Sequence, residues 1–264
     1  MSLEEIVGGG YAYQKLRKLG LSDKAAFNNA RHTTIQSFRQ NQHIWKKGSV
    51  IESWICVING LVCASVATET SESTPISLYG EDTWFGEFSI LSRKPAYANF
   101  TCMVPTDVLS MPAELVIELL NIEQGFAAKV AKMVAWRAQK TSEMLLIMKH
   151  GSPCLRVVMG LCQFGESLAY RADRPPTIGF GEGVIIPLTQ DLLASLCGVS
   201  RTRFSEFVHQ LRIDGWVRIS YGKVELLRPL AWHKFAELQR DKSFSKINPP
   251  MEVLLKELSQ CDVF

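Results

Sequence analysis

Paired thiols, long apolar runs and recognisable catalytic groupings are all missing from this 264-residue chain. Its seven cysteines, Cys56, Cys63, Cys102, Cys154, Cys162, Cys197 and Cys261, are odd in number, and no two stand in a C-x-x-C pair. That spacing gives no support for a zinc site or an iron–sulfur cluster, which would need closely grouped thiolates. It fits a reducing cytoplasm rather than a secreted disulfide framework, and most of these thiols sit among apolar neighbours, as small buried hydrophobes do. No run reaches the roughly 18 apolar residues that a membrane span needs. Met1 to Gly10 carries two acids but no basic cluster and no apolar stretch, so no signal peptide is expected. No Ser/His/Asp grouping or metal-ligand spacing appears, and an enzyme is not expected. Gly179-x-Gly181-x-Gly183 imitates a phosphate loop, but Val-Ile-Ile-Pro follows it instead of a helix, which reads as a hairpin connection. Neither sign of charge dominates: the net charge is +3, with 47% hydrophobic and 21% charged residues.

What is present is a change of texture along the chain. From about Ile35 to Met111, short β-branched and aromatic pieces alternate with glycine and polar turns. The pieces are Ile35–Phe38, His43–Trp45, Ile55–Ile58, Leu61–Val66, Ile76–Leu78, Trp84–Phe88, Phe100–Val104 and Val108–Met111. That spacing predicts an all-β sandwich, jelly roll or barrel. The texture changes at Pro112, and from Ala113 to about Lys149 the pattern is helical, with Gly125 marking a break between two helices. Ala127, Ala131, Val134, Ala138, Thr141, Leu145 and Met148 alternate steps of four and three, a heptad seam flanked by Lys129, Lys132, Arg137, Lys140 and Glu143. Small residues at its start let two helices approach closely. The seam serves either a parallel dimer or packing on its own domain, and dimerisation is the reading taken. Pro153–Leu168 reads as a further amphipathic helix, Arg171–Gly183 as a loop or hairpin connection, and the tail as helical on both sides of Asn248-Pro249-Pro250.

Residues 189–211 carry the most specific pattern. Thr189 caps a helix with Leu192, Leu193 and Leu196 on its apolar side, Ala194 fits a close helix crossing, and Gly198 suits a left-handed helix stop. Ser200 caps a second helix that buries Phe204, Phe207, Val208 and Leu211. Two such helices across a short glycine turn make a helix-turn-helix. Arg201, Thr202, Arg203, Ser205 and Glu206 occupy the exposed first turns of the second helix, where base edges are read. Arginine grips guanine O6 and N7, and glutamate accepts from cytosine N4. Thr189 and Ser200 are set to meet phosphates. Trp216–Ile219 and Lys223–Leu227 flank Ser220-Tyr221-Gly222 as a hairpin wing, with Arg218 and Lys223 available to the DNA backbone. Basic residues at a helix start oppose the helix dipole unless an anion is the partner, which favours double-stranded DNA over a helical hairpin with solvated charges.

Together, Gly80–Met111 with Trp84-Phe85-Gly86-Glu87, the helix with Thr141-Ser142-Glu143, and Leu188–Leu227 with Gly198-Val199-Ser200-Arg201 resemble the CRP/FNR family of bacterial regulators over about residues 30–229. The resemblance implies an α+β chain: an N-terminal double-stranded β-helix (jelly roll), a long dimerisation helix and a C-terminal winged helix-turn-helix. The expected divisions are 1–111, a cyclic-nucleotide-binding-like β-roll sensor with an N-terminal helical segment; 112–150, the dimerisation helix; 151–229, the DNA-binding domain; and 230–264, a helical extension longer than the family's usual ending. It further implies a homodimer on a near-palindromic operator, RNA polymerase as a partner, and a small-molecule effector in a pocket with Gly86, Glu87, Tyr97, Ala98, Thr141 and Ser142. Cyclic-AMP binders of the family hold the ribose with the glutamate and the cyclic phosphate with an arginine and a serine, where this chain has Tyr97 and Ala98. Cyclic AMP is therefore not the expected effector, and no cofactor is assigned. Arg93 and Lys94 replace the arginine only if the loop is rearranged. The oxygen-sensing branch needs an N-terminal cysteine cluster, and no cysteine precedes Cys56. A sensing module that acts mainly through protein contacts is the alternative function.

Overall fold

Short β-branched and aromatic pieces, cut by turns, close the first part of the chain into two four-stranded antiparallel sheets. A computed structural model of the protein describes residues 10–68, 71–169, 183–241 and 249–262. Residues 1–9, the Arg171–Gly183 connection except Gly183, and Asn248 lie outside the described residues. Two short helices come first, α1 (Gly10–Lys18) and α2 (Asp23–Ala30), followed by β1 (Thr34–Phe38), β2 (His43–Trp45), β3 (Ser53–Asn59), β4 (Val62–Thr68), β5 (Ser71–Tyr79) and β6 (Trp84–Phe85). Helix α3 (Glu87–Ser92), β7 (Asn99–Cys102) and β8 (Thr106–Pro112) complete the roll. The sheets run β1-β8-β3-β6 and β2-β7-β4-β5. The strand predicted over Trp84–Phe88 stops at Phe85, because Gly86 at φ 105° turns the backbone and Glu87 begins a helix. Only glycine adopts that angle at little cost, and a Cβ there would also meet the Trp45 ring at 2.9 Å.

Helix α4 (Ala113–Ile122) ends at Glu123, and α5 (Gln124–His150) starts at once. The break falls two residues before Gly125, whose own role is a close approach: a Cβ there would meet the Gly20 carbonyl oxygen at 2.5 Å. The chain divides into two units within α5, one taking the described residues up to Ala138 and the other those from Gln139 onward. In the first unit, α5 buries Phe126, Val130, Met133 and Arg137, with the first three joining the roll's core.

The second unit continues with α6 (Pro153–Ala169), β9 (Val184–Ile186), α7 (Gln190–Leu196), α8 (Arg201–Ile213), β10 (Val217–Ser220), β11 (Lys223–Leu226), α9 (Pro229–Asp241) and α10 (Met251–Gln260). The expected wing hairpin gains a third strand, in the order β10-β11-β9. The extension folds as part of this unit. Trp232 of α9 meets the Trp216 ring edge-on at 6.4 Å, the Pro249 carbonyl accepts from Cys154 Sγ, and Arg228 pairs with Asp262 at 2.9 Å. All seven cysteines are buried thiols; burial pushes Cys56 and Cys63 up to about 12, which keeps them protonated. Among the described residues no helix is long and apolar enough to cross a membrane.

Candidate nucleic-acid interface and effector pocket

The turn between α7 and α8 is built from local hydrogen bonds. Thr189 Oγ1 accepts from the Leu192 amide and Ser200 Oγ from the Arg203 amide, which caps both helices. At the end of α7, the Gly198 amide donates to Ser195 O and the Val199 amide to Ala194 O, with Gly198 at φ 61°. This pair of reverse bonds is a Schellman stop. Leu193, Ala194 and Leu196 are buried on α7, and Phe204, Val208 and Leu211 on α8. With those side chains turned inward, Arg201, Thr202, Arg203, Ser205 and Glu206 all face solvent.

The five residues form one continuous surface, but its arginines have local partners. Arg201 Nε lies 3.1 Å from Asp191 and Arg203 Nη1 3.2 Å from Glu206. Both pairs are exposed, so each holds its arginine only weakly. On the wing, Lys223 is exposed, whereas Arg218 reaches across β10–β11 to Glu225 at 2.7 Å. Tyr221, at the tip of the wing, is fully exposed.

The residues expected at the pocket fall in different units. Gly86, Glu87, Tyr97 and Ala98 lie on the roll, while Thr141 and Ser142 belong to the second unit and are exposed there. Glu87 is 1% exposed. It accepts from Trp54 Nε1 at 3.4 Å and from Arg137 Nη1, while Arg137 Nη2 donates to the Trp84 carbonyl. Arg137, named from the sequence as a flank of the seam, is buried, because it falls on the phase of Phe126, Val130 and Met133. A basic residue in step with an apolar stripe is the signal that was overlooked. Tyr97 packs edge-on against Phe100, and its hydroxyl lies 3.5 Å from that of Tyr79. Arg93 and Lys94 line a groove of about 520 Å³ with Val50, Ile51 and Ile117.

The seam residues Ala131, Ala138, Thr141 and Leu145 are exposed, and Ala127 and Val134 half-buried. Met148 turns toward the helix-turn-helix, its methyl 2.6 Å from where a Cβ on Gly198 would stand. A second constellation escaped the sequence reading altogether. Glu166 of α6, 3% exposed, takes Lys140 at 2.8 Å, Arg240 at 2.6 Å and His233 at 3.2 Å, and Arg240 also reaches Glu143 at 2.9 Å. Burial pushes Glu166 up, but the His233 hydrogen bond and the charges of Lys140 and Arg240 outweigh it and hold the carboxyl down at about 2.

Residues 35–123 match the cyclic nucleotide-binding domain family, and residues 156–231 match the Crp-like helix-turn-helix domain. The chain belongs to the CRP/FNR family of transcription regulators. A global nitrogen regulator of Nostoc sp. is 22% identical over 202 residues, 74% of this regulator and 86% of that protein. A cyclic AMP receptor protein of Thermus thermophilus is 23% identical over 189 residues, 72% and 82% of the two chains. FixK2 of Bradyrhizobium japonicum shares the fold of the regulator, with a TM-score of 0.62 at 15% identity over 76% of this chain and 96% of that one. The CRP-like order of β-roll, long helix and winged helix-turn-helix expected from sequence is the order found.

Proposed function

We propose that the regulator works as a homodimer that lays α8 of each copy into the major groove of a near-palindromic duplex site, in the cytoplasm and with RNA polymerase as its partner. The observation that carries this reading is the exposed, basic first half of α8, held rigidly by its Ser200 cap and by buried Phe204, Val208 and Leu211. The exposed small residues of α5 support dimerisation, since Ala131 and Ala138 allow a second helix to approach closely. Functionally the chain divides into a sensor (1–111), a dimerisation segment (112–150), a reading head (151–229) and an extension (230–264). An effector other than cyclic AMP controls it from the roll, because Tyr97 and Ala98 leave a cyclic phosphate without its charge-assisted pair. Control of this kind requires that the effector favour the DNA-competent arrangement of the dimer.

Selection of bound duplexes from a random library, with and without a metabolite extract, tests the reading. A salt-sensitive, two-fold-symmetric consensus whose recovery changes with extract is expected. Absence of salt-sensitive binding to any duplex would refute it. Binding that is weak and unchanged by Arg201→Ala and Arg203→Ala would favour the module that acts through protein contacts.

A further inference from the structure

The groove beside Arg93 and Lys94 lies wholly within the first unit, and its apolar lining is aliphatic rather than aromatic. Val50 and Ile51 come from the loop between β2 and β3, Ile90 from α3 and Ile117 from α4. Backbone hydrogen bonds brace these walls against one another. The Gly48 amide donates to the Ala96 carbonyl and the Ala96 amide to the Ser49 carbonyl, both at 2.8 Å. The Ala113 amide, at the start of α4, donates to the Glu52 carbonyl at 2.9 Å. Such bracing makes a preformed site, and about 520 Å³ is a volume that small-molecule ligands occupy. Gly86, Glu87, Tyr97 and Ala98, the residues expected at a cyclic-nucleotide pocket, do not line it.

Two cations stand at this groove. Arg93 and Lys94 are exposed and, among the described residues, take part in no ion pair. Arg93 holds φ at 54° where α3 stops, a left-handed position at which glycine is the ordinary choice. The stop is made by backbone bonds, with the Lys94 amide donating to the Ser89 carbonyl at 3.1 Å. The turn itself therefore has no use for the arginine side chain. Val50 leaves an aliphatic side chain 73% exposed, and Ile117 is half-buried. A hydrocarbon tail laid against them would remove apolar surface from water. Glu114, exposed on the first turn of α4, is the one acid of the lining. Two cations against one carboxylate leave a single net positive charge, which suits a monoanion better than a polyanion.

We propose that this groove binds an amphipathic monocarboxylate. The ligand is a fatty-acid-like molecule whose head group pairs with Arg93 and Lys94 and whose chain lies along Val50, Ile51, Ile90 and Ile117. The site goes beyond the reading of duplex DNA and does not depend on it.

Calorimetry on the full-length chain with hexanoate, octanoate and decanoate, each below its micelle concentration, tests the site. Saturable binding should tighten about two- to fourfold with each added methylene. Octylammonium, with the same tail and the opposite charge, should bind at least about tenfold more weakly than octanoate, because it forfeits a charge-assisted pair. Affinity independent of chain length, or equal affinity for the two octyl ions, overturns the proposal.

Two surface variants locate the ligand without risk to the core. Arg93→Gly combined with Lys94→Ala removes both cations, and the glycine relieves the left-handed backbone. Arg93→Gly alone should therefore unfold no earlier than the wild type, while the pair should lose octanoate affinity by at least about tenfold. Val50→Glu sets a second acid at the groove and should weaken octanoate similarly. Unchanged octanoate affinity in both variants would put any binding elsewhere and overturn the proposal. Methyl spectra of the wild type decide independently: octanoate should shift the Val50 and Ile117 signals, and still signals at both overturn the site. No duplex enters these titrations, so their failure removes the groove ligand and leaves the proposed function standing.

Discussion

Arg201 and Arg203 sit where the free amides of α8 point outward, and no acid occupies that first turn. Their exposed partners Asp191 and Glu206 hold them loosely, so a phosphate or a guanine edge can take them over at little cost. Replacing either arginine with alanine should weaken specific binding by about 1–3 kcal/mol and relax selection at one base position. Lys223→Ala should instead weaken all duplexes alike and reduce the salt slope by about one. Binding to consensus and scrambled duplexes over a salt series separates the two behaviours; a uniform loss in Arg203→Ala would remove it from base reading. The caps at Thr189 and Ser200 and the stop at Gly198 were legible because their hydrogen bonds close within five residues. The partner of Glu87 was not, since Arg137 lies fifty positions away and no local rule joins them.

At the scale of elements, α5 carries two stripes one residue apart. The stripe of Phe126, Val130, Met133, Arg137 and Ile147 is buried; the neighbouring stripe of Ala127, Ala131, Ala138 and Leu145 is the seam legible in sequence. Both obey the same steps of four and three, so periodicity finds the helix but not which stripe meets its own unit. Val134 also packs against the roll's core, which makes Ala131 and Leu145 the cleaner positions for a test. Ala131→Glu with Leu145→Glu should yield a folded monomer by light scattering; an intact dimer would refute the seam. The extension makes a different contribution. Arg240 bridges Glu166 and Glu143, and its removal should lower the stability of the second unit by about 3 kcal/mol, as loss of a buried charge partner does. Arg240→Lys should recover only part, because an ammonium lacks the fork that reaches both carboxylates. Stability should also depend on pH through two groups. The Glu166 hydrogen bond raises His233 above its ordinary 6.5, so its contribution is whole below 6.5 and is lost as pH climbs through the raised value. Glu166 is depressed from 4.5 to about 2, so its contribution is whole above 4.5 and is lost as pH falls toward 2. Denaturant midpoints should therefore be highest between about pH 4.5 and 6.5. His233→Gln should flatten the alkaline side and, because the His233 hydrogen bond helps depress Glu166, also lessen the loss on the acid side; an unchanged alkaline slope would rule out the His233–Glu166 bond.

For the whole molecule, the order of β-roll, long helix and winged helix-turn-helix was legible because each piece has its own period. The division inside α5 was not, since the helical pattern runs through Ala138 without a break. The same continuity bears on how two reading heads reach one operator. If a second copy pairs along the α5 seam, a two-fold axis relates the heads, and their half-sites lie about 34 Å or 10 base pairs apart, or a multiple of that. Each head alone binds weakly, and the second gains from the first through effective concentration, on the order of 10²–10⁴ in affinity. Inserting five base pairs between the half-sites turns one of them to the opposite face of the duplex and should remove that gain. Inserting ten restores the face but lengthens the span, so recovery should be partial at most. Equal affinity for all three spacings would mean that the heads bind independently, and the seam could not then be the element that sets the register of the dimer on DNA.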